Sequence, residues 1–218
     1  MKKIFFCIAT AAIWFSCMPP TKITGAWKNP KQPLKNYSSI FIASLSSNNV
    51  ARATVEGDMA AALEKENIST YKSMDEFSPG IKKDSLNKEE ILSKVKNKKT
   101  DAILTISLIR KETDSRYVPG EYLYEPIPRF AYYSDFTGYY SYWSPNMRNQ
   151  GYYVQDKTYF LETNLYDAAS EQLIWSAQSK TYNPESLQSF SKEFSKLIVA
   201  KLKTDGMLKS VSTPLSGK

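Results

Sequence analysis

Two long alternating segments near the end of the chain restrict its fold more than any other feature. Residues 158–167 and 173–182 each alternate apolar or aromatic side chains with polar ones, which is typical of half-buried β-strands. A turn around residues 168–171 separates them, and so short a connection joins antiparallel neighbours. The sequence therefore predicts a hairpin, and any sheet that contains it must be antiparallel in that part.

The first half of the chain follows a different pattern, in which strands alternate with helices. Ser39–Leu45 is a short apolar run, and Asn48 or Asn49 can cap the helix that follows. Further on, Asn87–Glu90 resembles a capping box. The predicted elements are strand 39–45, helix 48–67, strand 68–71, loop 75–84, helix 87–99, strand 102–109, hairpin strands 158–167 and 173–182, and a helix from Asn183-Pro184 to Gly206.

This order, β-α-β-α-β-β-β-α, predicts the fold class. Strands joined by helices pair in parallel, whereas the final hairpin is antiparallel, so we expect one α/β sandwich with a mixed sheet and helices packed on it. The domain is predicted to span residues 37–208, with residues 209–218 as a C-terminal tail.

The N-terminal segment Met1–Ser16 predicts export. Lys2 and Lys3 precede residues 4–15, which carry no charge. A basic start, a short apolar stretch and a small residue at its end are typical of a secretory signal peptide. As a helix the apolar stretch would span about 18 Å. That is too short for a hydrocarbon core of about 30 Å, so a signal peptide is favoured over a membrane-spanning helix.

Cys17 follows the small residue Ser16, and we predict that it is the site of lipid attachment. The segment that ends there resembles a lipobox, although Trp14 stands where that pattern prefers an aliphatic residue. Ordinary cleavage after Ala12 is the alternative. Residues 17–36, which contain several prolines, are predicted to be a lipidated N-terminus and extended tether.

The residues after Cys17 also predict an address. Neither an aspartate nor an acidic cluster follows the cysteine directly. The common sorting rule then favours the outer membrane, with the domain facing the periplasm and the acyl chains supplying a stable anchor.

The chain contains no histidine, which excludes several chemistries. Ser-His-Asp and Cys-His catalysis and histidine-ligated zinc all need that side chain. No phosphate-binding glycine loop or calcium-binding motif is present, and no reader motif for nucleic acid. We therefore predict no catalytic residues, no metal, no cofactor and no nucleic-acid partner; a carboxylate pair is the one catalytic device left open.

A lysine run at residues 94–99 has two interpretations. It falls at a predicted helix C-terminus, where cations are favoured by the last carbonyl groups. A contact with an anionic lipid or a glycan phosphate is the alternative.

Residues 117–153 form an insert that is rich in tyrosine. Long segments of this kind in compact domains are usually functional or disordered, and tyrosine suits interfaces and sugar stacking. The insert either presents a surface to an envelope protein or a glycan, or folds over the sheet and completes the core, or is disordered. The candidate contact patch is Tyr139, Tyr140, Tyr142 and Trp143.

Residues 37–208 resemble a known group of proteins. The strand Ser39–Leu45, the hairpin with Leu165-Tyr166-Asp167 and Trp175-Ser176, and the last helix are similar to an uncharacterised family of Gram-negative envelope lipoproteins that carry a domain of unknown function. More distantly, the architecture is similar to the periplasmic lipoprotein domains of curli secretion and of penicillin-binding-protein activators. The resemblance implies a fold and an envelope location, and it carries over no catalytic residue.

Two functional hypotheses follow. In the first, the chain is a non-enzymatic binding or accessory component of the cell envelope, held to the membrane through Cys17. In the second, it is a structural lipoprotein whose insert completes the fold. An enzyme is a distant third, and the sequence indicates no oligomeric state.

Overall fold

Short apolar strands and amphipathic helices assemble into a mixed sheet with helices on both faces. The computed structural model describes residues 21–31, 35–77, 93, 95–119, 135–146 and 151–208. The elements are β1 Thr21–Lys28, β2 Ser39–Leu45, α1 Asn49–Glu64, β3 Ser69–Lys72, α2 Ser73–Glu76, β4 Ala102–Val118, α3 Phe136–Asn146, β5 Tyr152–Asp167, β6 Leu173–Tyr182 and α4 Leu187–Thr204.

The sheet has six strands in the order β1-β6-β5-β4-β2-β3. β2 pairs in parallel with β3 and β4, because helical segments connect these strands. The pairs β4–β5, β5–β6 and β1–β6 are antiparallel. The predicted mixed sheet and C-terminal hairpin are therefore confirmed.

Helices α1 and α4 cover one face of the sheet and enclose the larger core. On α1, Val55, Met59 and Leu63 form one buried apolar stripe, and the Asn48 side chain caps the first turn by accepting from two backbone N–H groups. Trp175 of β6 is fully buried beneath the helices. The amphipathic pattern thus decides which face of each helix meets the sheet.

A smaller core lies on the opposite face. Phe41 and Phe77 meet edge to face at 6.4 Å between ring centroids, and Val95 packs beside them. Residues 95–97 are helical, in agreement with the predicted helix, whose capping box at 87–90 lies outside the described residues. Within the lysine run, Lys98 and Lys96 pair with Glu76 and Glu171.

The tether prediction is wrong for residues 21–28. They form β1, an edge strand that pairs antiparallel with β6. Thr21 is buried, and its hydroxyl lies 3.0 Å from that of Thr181. Flanking prolines and an exposed outer surface conceal such a strand in the sequence, because it contributes few apolar residues to the core.

The sequence also misplaced three element boundaries. β4 continues beyond the predicted end at Ile109 to Val118, and β5 begins at Tyr152 rather than Thr158. The N-cap of α4 is Ser186, whose hydroxyl accepts from the Ser189 N–H, and not Asn183. The short helix α2 lies partly within the predicted loop 75–84 and directly follows β3.

Candidate functional site

The two ends of the sheet differ in structure, and we call them the arm end and the turn end. At the arm end, β2 and β6 stop, α1 and α4 begin, and β1 starts. At the turn end, the β5–β6 hairpin closes and the two helices finish. Thr21, Thr181, Tyr159 and Lys111 form one cross-strand row at the arm end.

A two-stranded arm projects beyond the arm end. It consists of residues 113–118 of β4 and 152–157 of β5, which pair with each other past the last residue of β6. Neither β2 nor β6 accompanies them. The arm is therefore a ribbon whose outer edges carry no further strand within the described part of the chain.

An apolar cleft opens at the base of this arm. It lies between the sheet and the first turns of α1 and α4, and it has a volume of about 250 Å³. Its apolar side chains come from both helices and from three strands. The lining residues are Ser44, Leu45, Ser46, Ala51, Val55, Ile106, Leu108, Tyr159, Leu161, Pro184, Ser186, Leu187 and Phe190.

Apolar side chains at the mouth of the cleft are exposed. Leu45, Leu108 and Leu187 line it and remain 60%, 48% and 38% exposed. The β-bulge between Leu108 and Arg110 contains Ile109, which is exposed but does not line the cleft. Monomeric proteins rarely display contiguous apolar surface without a partner that covers it, so this mouth is a candidate contact site.

A buried carboxylate supports the cleft from behind without lining it. Glu56 of α1 is fully buried and accepts from the Ser44 N–H (2.9 Å), the Ser73 hydroxyl (2.6 Å) and the Met74 N–H (2.9 Å). These bonds join the end of β2 to the start of α2. Glu56 is thus a structural side chain whose oxygens are already occupied by three donors.

Cations surround the arm end on both faces of the sheet. Lys111 Nζ lies 5.8 Å from the centre of the Tyr159 ring at the cleft mouth. On the other face, Arg110 and Lys180 contact the Phe160 ring at 4.4 and 5.5 Å, and Lys22 pairs with Lys180 across the strands. Arg110 has an acidic partner, Glu112, at 3.0 Å, and Glu185 follows the lining residue Pro184.

A polar cluster fixes the root of the arm. Buried Asp156 accepts from the Asn183 amide (2.6 Å) and from the Arg116 Nε (3.4 Å). Hydrogen bonds from the Tyr182 hydroxyl and from Asn183, with the contact to Arg116, lower the pKa of Asp156. The hydrogen bond between Tyr182 and Asp156 raises the pKa of Tyr182. Asn183 adopts a left-handed conformation (φ 40°) and also bonds the backbone of Lys157.

The tip of the arm is aromatic. Tyr117 and Tyr153 face each other across the ribbon with ring centroids 5.3 Å apart, and Tyr152 is exposed beside them. Gly151 is required here, because a Cβ would lie 2.3 Å from the Val118 carbonyl oxygen and 2.5 Å from the Tyr117 ring. The two ends of the predicted insert are therefore strands.

The middle of the insert contains a helix that the sequence did not predict. Tyr139 and Tyr140 lie on α3 and are 37% and 61% exposed, and Phe136 stacks on Tyr140 at 5.7 Å. Tyr142 and Trp143 belong to the same helix, but their side chains lie outside the description, as does Cys17. Neither core contains a described residue of residues 117–153. The contact role of the patch stays a prediction.

Metal-binding clusters and membrane-spanning helices are absent from the described ranges. No group of three or more acidic or cysteine side chains there is placed to hold a metal ion. Over the same residues, no helix is both long and apolar enough to cross a bilayer.

The sequence prediction missed the cleft. Its signal was a set of apolar residues at or near the ends of predicted elements, namely Leu45, Leu108 and Leu187. Each reads singly as an ordinary surface residue, because isolated apolar side chains are common on protein surfaces. Only the fold brings them to one mouth.

Comparisons with known proteins give a fold-level likeness alone. No family model matches the chain, and no curated protein matches it. Among solved structures, the PelC dodecamer from Paraburkholderia phytofirmans is 12% identical, covering 87% of this chain and 99% of that one with a TM-score of 0.44. Lipoprotein GNA1162 from Neisseria meningitidis is 13% identical (77% and 99% covered, TM-score 0.40). Protein XCC0632 from Xanthomonas campestris is 11% identical (82% and 94% covered, TM-score 0.36).

Proposed function

We propose that this chain is an exported lipoprotein, anchored through Cys17, that acts as a non-enzymatic binding component of the cell envelope. The observation that carries the proposal is the position of Cys17, which follows an apolar signal-like segment and stands four residues before β1. The lipid is thereby attached almost directly to the folded domain, and the arm end is the part of the domain nearest the membrane.

The length of the connection supports this orientation. Four residue steps separate Cys17 from Thr21, and an extended chain covers at most about 14 Å in that number of steps. Thr21 is held in place by its buried contact with Thr181. Residues 21–28 of the predicted tether belong to β1 instead, so under this proposal only residues 18–20 separate Cys17 from the folded domain, and the anchored domain stays close to the bilayer.

Replacement of Cys17 tests the anchor. In Cys17→Ser we expect no incorporation of labelled palmitate. The protein should then either leave the membrane fraction or remain as the uncleaved precursor, because the acyl chains supply the anchoring. Cys7→Ser is the matched control, since that cysteine lies in the segment to be removed and should keep the label. Label retained in Cys17→Ser would contradict the proposal.

The membrane and the orientation are tested separately. No aspartate follows Cys17, which favours the outer membrane, and the domain is proposed to face the periplasm. Density-gradient separation should place the protein with outer-membrane markers. Protease added to intact cells should spare it and should degrade it once the outer membrane is opened; rapid cleavage on intact cells would contradict the orientation.

The proposed binding role rests on the exposed tyrosines of α3. Tyr139 and Tyr140 lie outside both cores, as a contact surface requires. Crosslinked pull-down from envelopes, with the lipidated protein, should recover an envelope protein or glycan. A Tyr139→Ser/Tyr140→Ser variant should recover less of it, whereas Trp27→Ser, which changes an exposed aromatic residue on β1, should recover the same amount. Equal recovery by all three proteins would contradict the binding role.

A further inference from the structure

We infer that the apolar cleft at the arm end takes up an acyl chain of a membrane phospholipid, so that this end of the domain docks on the bilayer. The inference rests on the proposed anchoring at Cys17 and names a ligand for a second site, separate from the tyrosines of α3.

The position of the cleft is the first argument. Thr21 and Tyr159 lie in one cross-strand row and are separated by two strand spacings of about 4.8 Å each. Both side chains belong to the face that α1 and α4 cover. Tyr159 lines the cleft. Since Cys17 is held within about 14 Å of Thr21, the mouth of the cleft lies beside the anchor and at the membrane surface.

The lining is the second argument. Apart from backbone, its polar groups are the hydroxyls of Ser44, Ser46, Ser186 and Tyr159, and it contains no charged side chain. A cavity of about 150 Å³ lined by aliphatic side chains can hold a benzene molecule. The 250 Å³ cleft therefore has room for a segment of an alkyl chain, and it offers a charged ligand no partner of opposite charge.

Charge complementarity is the third argument. Lys111 stands at the mouth, and the cations on the opposite face are Lys22, Arg110 and Lys180. Glu112 neutralises Arg110 in part, Glu185 follows the lining residue Pro184, and Asp114 lies farther along the arm. The remaining cations would face lipid headgroups when an acyl chain enters the cleft, which favours anionic phospholipids.

The arm supplies the fourth argument. From the row of Lys111 to Val118 it extends about 23 Å, which exceeds the reach of the linker to Cys17. An anchored domain therefore brings the arm tip to the bilayer surface. Tyr117, Tyr152 and Tyr153 at that tip are of the residue type enriched at membrane–water interfaces.

Site-specific photocrosslinking of the full-length chain in a Gram-negative host tests the inference. A benzophenone amino acid replaces Leu108 at the cleft mouth, and in the control it replaces Trp27 on β1. The two positions are matched, since Leu108 is 48% and Trp27 47% exposed, but only Leu108 lines the cleft. Mass spectrometry of the irradiated protein identifies the adduct.

We expect an adduct with the mass of a phospholipid at position 108 and little or none at position 27. Adducts of position 108 with a second copy of the chain, with another protein or with the acyl chains on Cys17 itself would overturn the inference. An absence of any lipid adduct, or equal lipid adducts at both positions, would also overturn it.

A second variant separates occupation of the cleft from mere closeness to the membrane. Ala51→Phe fills the cleft and should remove most of the adduct at position 108, whereas Ala53→Phe on the exposed side of α1 should leave it unchanged. Equal adducts in the two variants would contradict occupation.

Palmitate labelling of the same samples keeps the two proposals apart. If the protein with Cys17 intact carries no palmitate label, the proposed anchor is contradicted. If the protein carries the palmitate label but gives no phospholipid adduct at position 108, only the cleft inference is contradicted.

Discussion

The turn end of the sheet is closed by partnered polar groups, whereas the arm end contains an open apolar cleft. At the turn end, Asp167 accepts from the Ala169 and Ser170 N–H groups, the Lys35 ammonium and the Tyr37 hydroxyl. At the arm end, by contrast, the cleft is rimmed by exposed leucines. The two ends share the same strands and helices, so the difference comes from how the elements finish.

This contrast separates stability from binding. Burial and the negative charge of Asp167 together raise the pKa of Tyr37 to about 12. Burial alone would raise the pKa of Asp167, but the bonds from Ser170 and Lys35 outweigh it and lower that pKa to about 2. Such groups stabilise the native state, whereas an open apolar mouth gains stability only when a partner covers it.

The largest effect is expected from Trp175→Ala. Trp175 is fully buried and donates from its indole N–H to Asp205 at 2.7 Å, near the turn end. The cavity and the lost bond should lower the free energy of unfolding by about 3–5 kcal/mol in urea titrations. Trp27→Ala, an exposed tryptophan on the neighbouring strand, should change it by about 0.5 kcal/mol or less. If both variants lost the same free energy of unfolding, the assignment of Trp175 to the core and of Trp27 to the surface would be contradicted.

Glu56→Gln tests the polar support behind the cleft. An amide nitrogen in place of one carboxylate oxygen would face a donor instead of accepting from it, which should cost about 1–3 kcal/mol of unfolding free energy. Glu193→Gln, on the exposed side of α4, should change it little. Wild-type stability of Glu56→Gln in urea would show that these bonds do not stabilise the arm end.

The pH dependence of unfolding tests Asp167. Its pKa falls from 3.8 to about 2 on folding, so its contribution is present above pH 3.8 and is lost as the pH falls through 2. With allowance for solvent screening, the contribution is about 1–2 kcal/mol. Asp167→Asn should lack this loss between pH 4 and 2 in thermal or urea unfolding; parallel profiles for the two proteins would contradict the assignment.

The smallest effect is expected in the insert. Tyr140→Ala with Trp143→Ala should change the unfolding free energy by about 0.5 kcal/mol or less, because α3 contributes no described residue to either core. Urea unfolding measures it. A loss of several kcal/mol would show that the insert is part of the core and would favour the structural interpretation.

The parts of the fold that local patterns encode could be predicted. β2 was predicted with both boundaries, and α1 with its cap at Asn48 or Asn49, of which the structure uses Asn48. An apolar run and a capping residue need no distant partner. The hairpin around Asp167 was also predicted, and its turn is stabilised by bonds within a few residues of the chain.

The parts that depend on distant partners were missed. β1 exists because β6 offers it an edge far along the chain, as the pairing of Thr21 with Thr181, 160 residues later, shows. Asn183 looks like a helix cap in the sequence, but its side chain bonds Asp156 and Lys157 instead. Competition between local and distant partners cannot be read from neighbouring residues.

The sequence by itself determined the alternation of elements, the hairpin, the absence of histidine chemistry and the prediction of a lipid at Cys17, because each depends on residue types or on short spacings. Only the tertiary structure decided that β1 shortens the linker and that the arm and the cleft share one end of the sheet. The reason is that a cleft forms from the unfilled space between elements, and Leu45, Leu108 and Leu187 meet there only after folding.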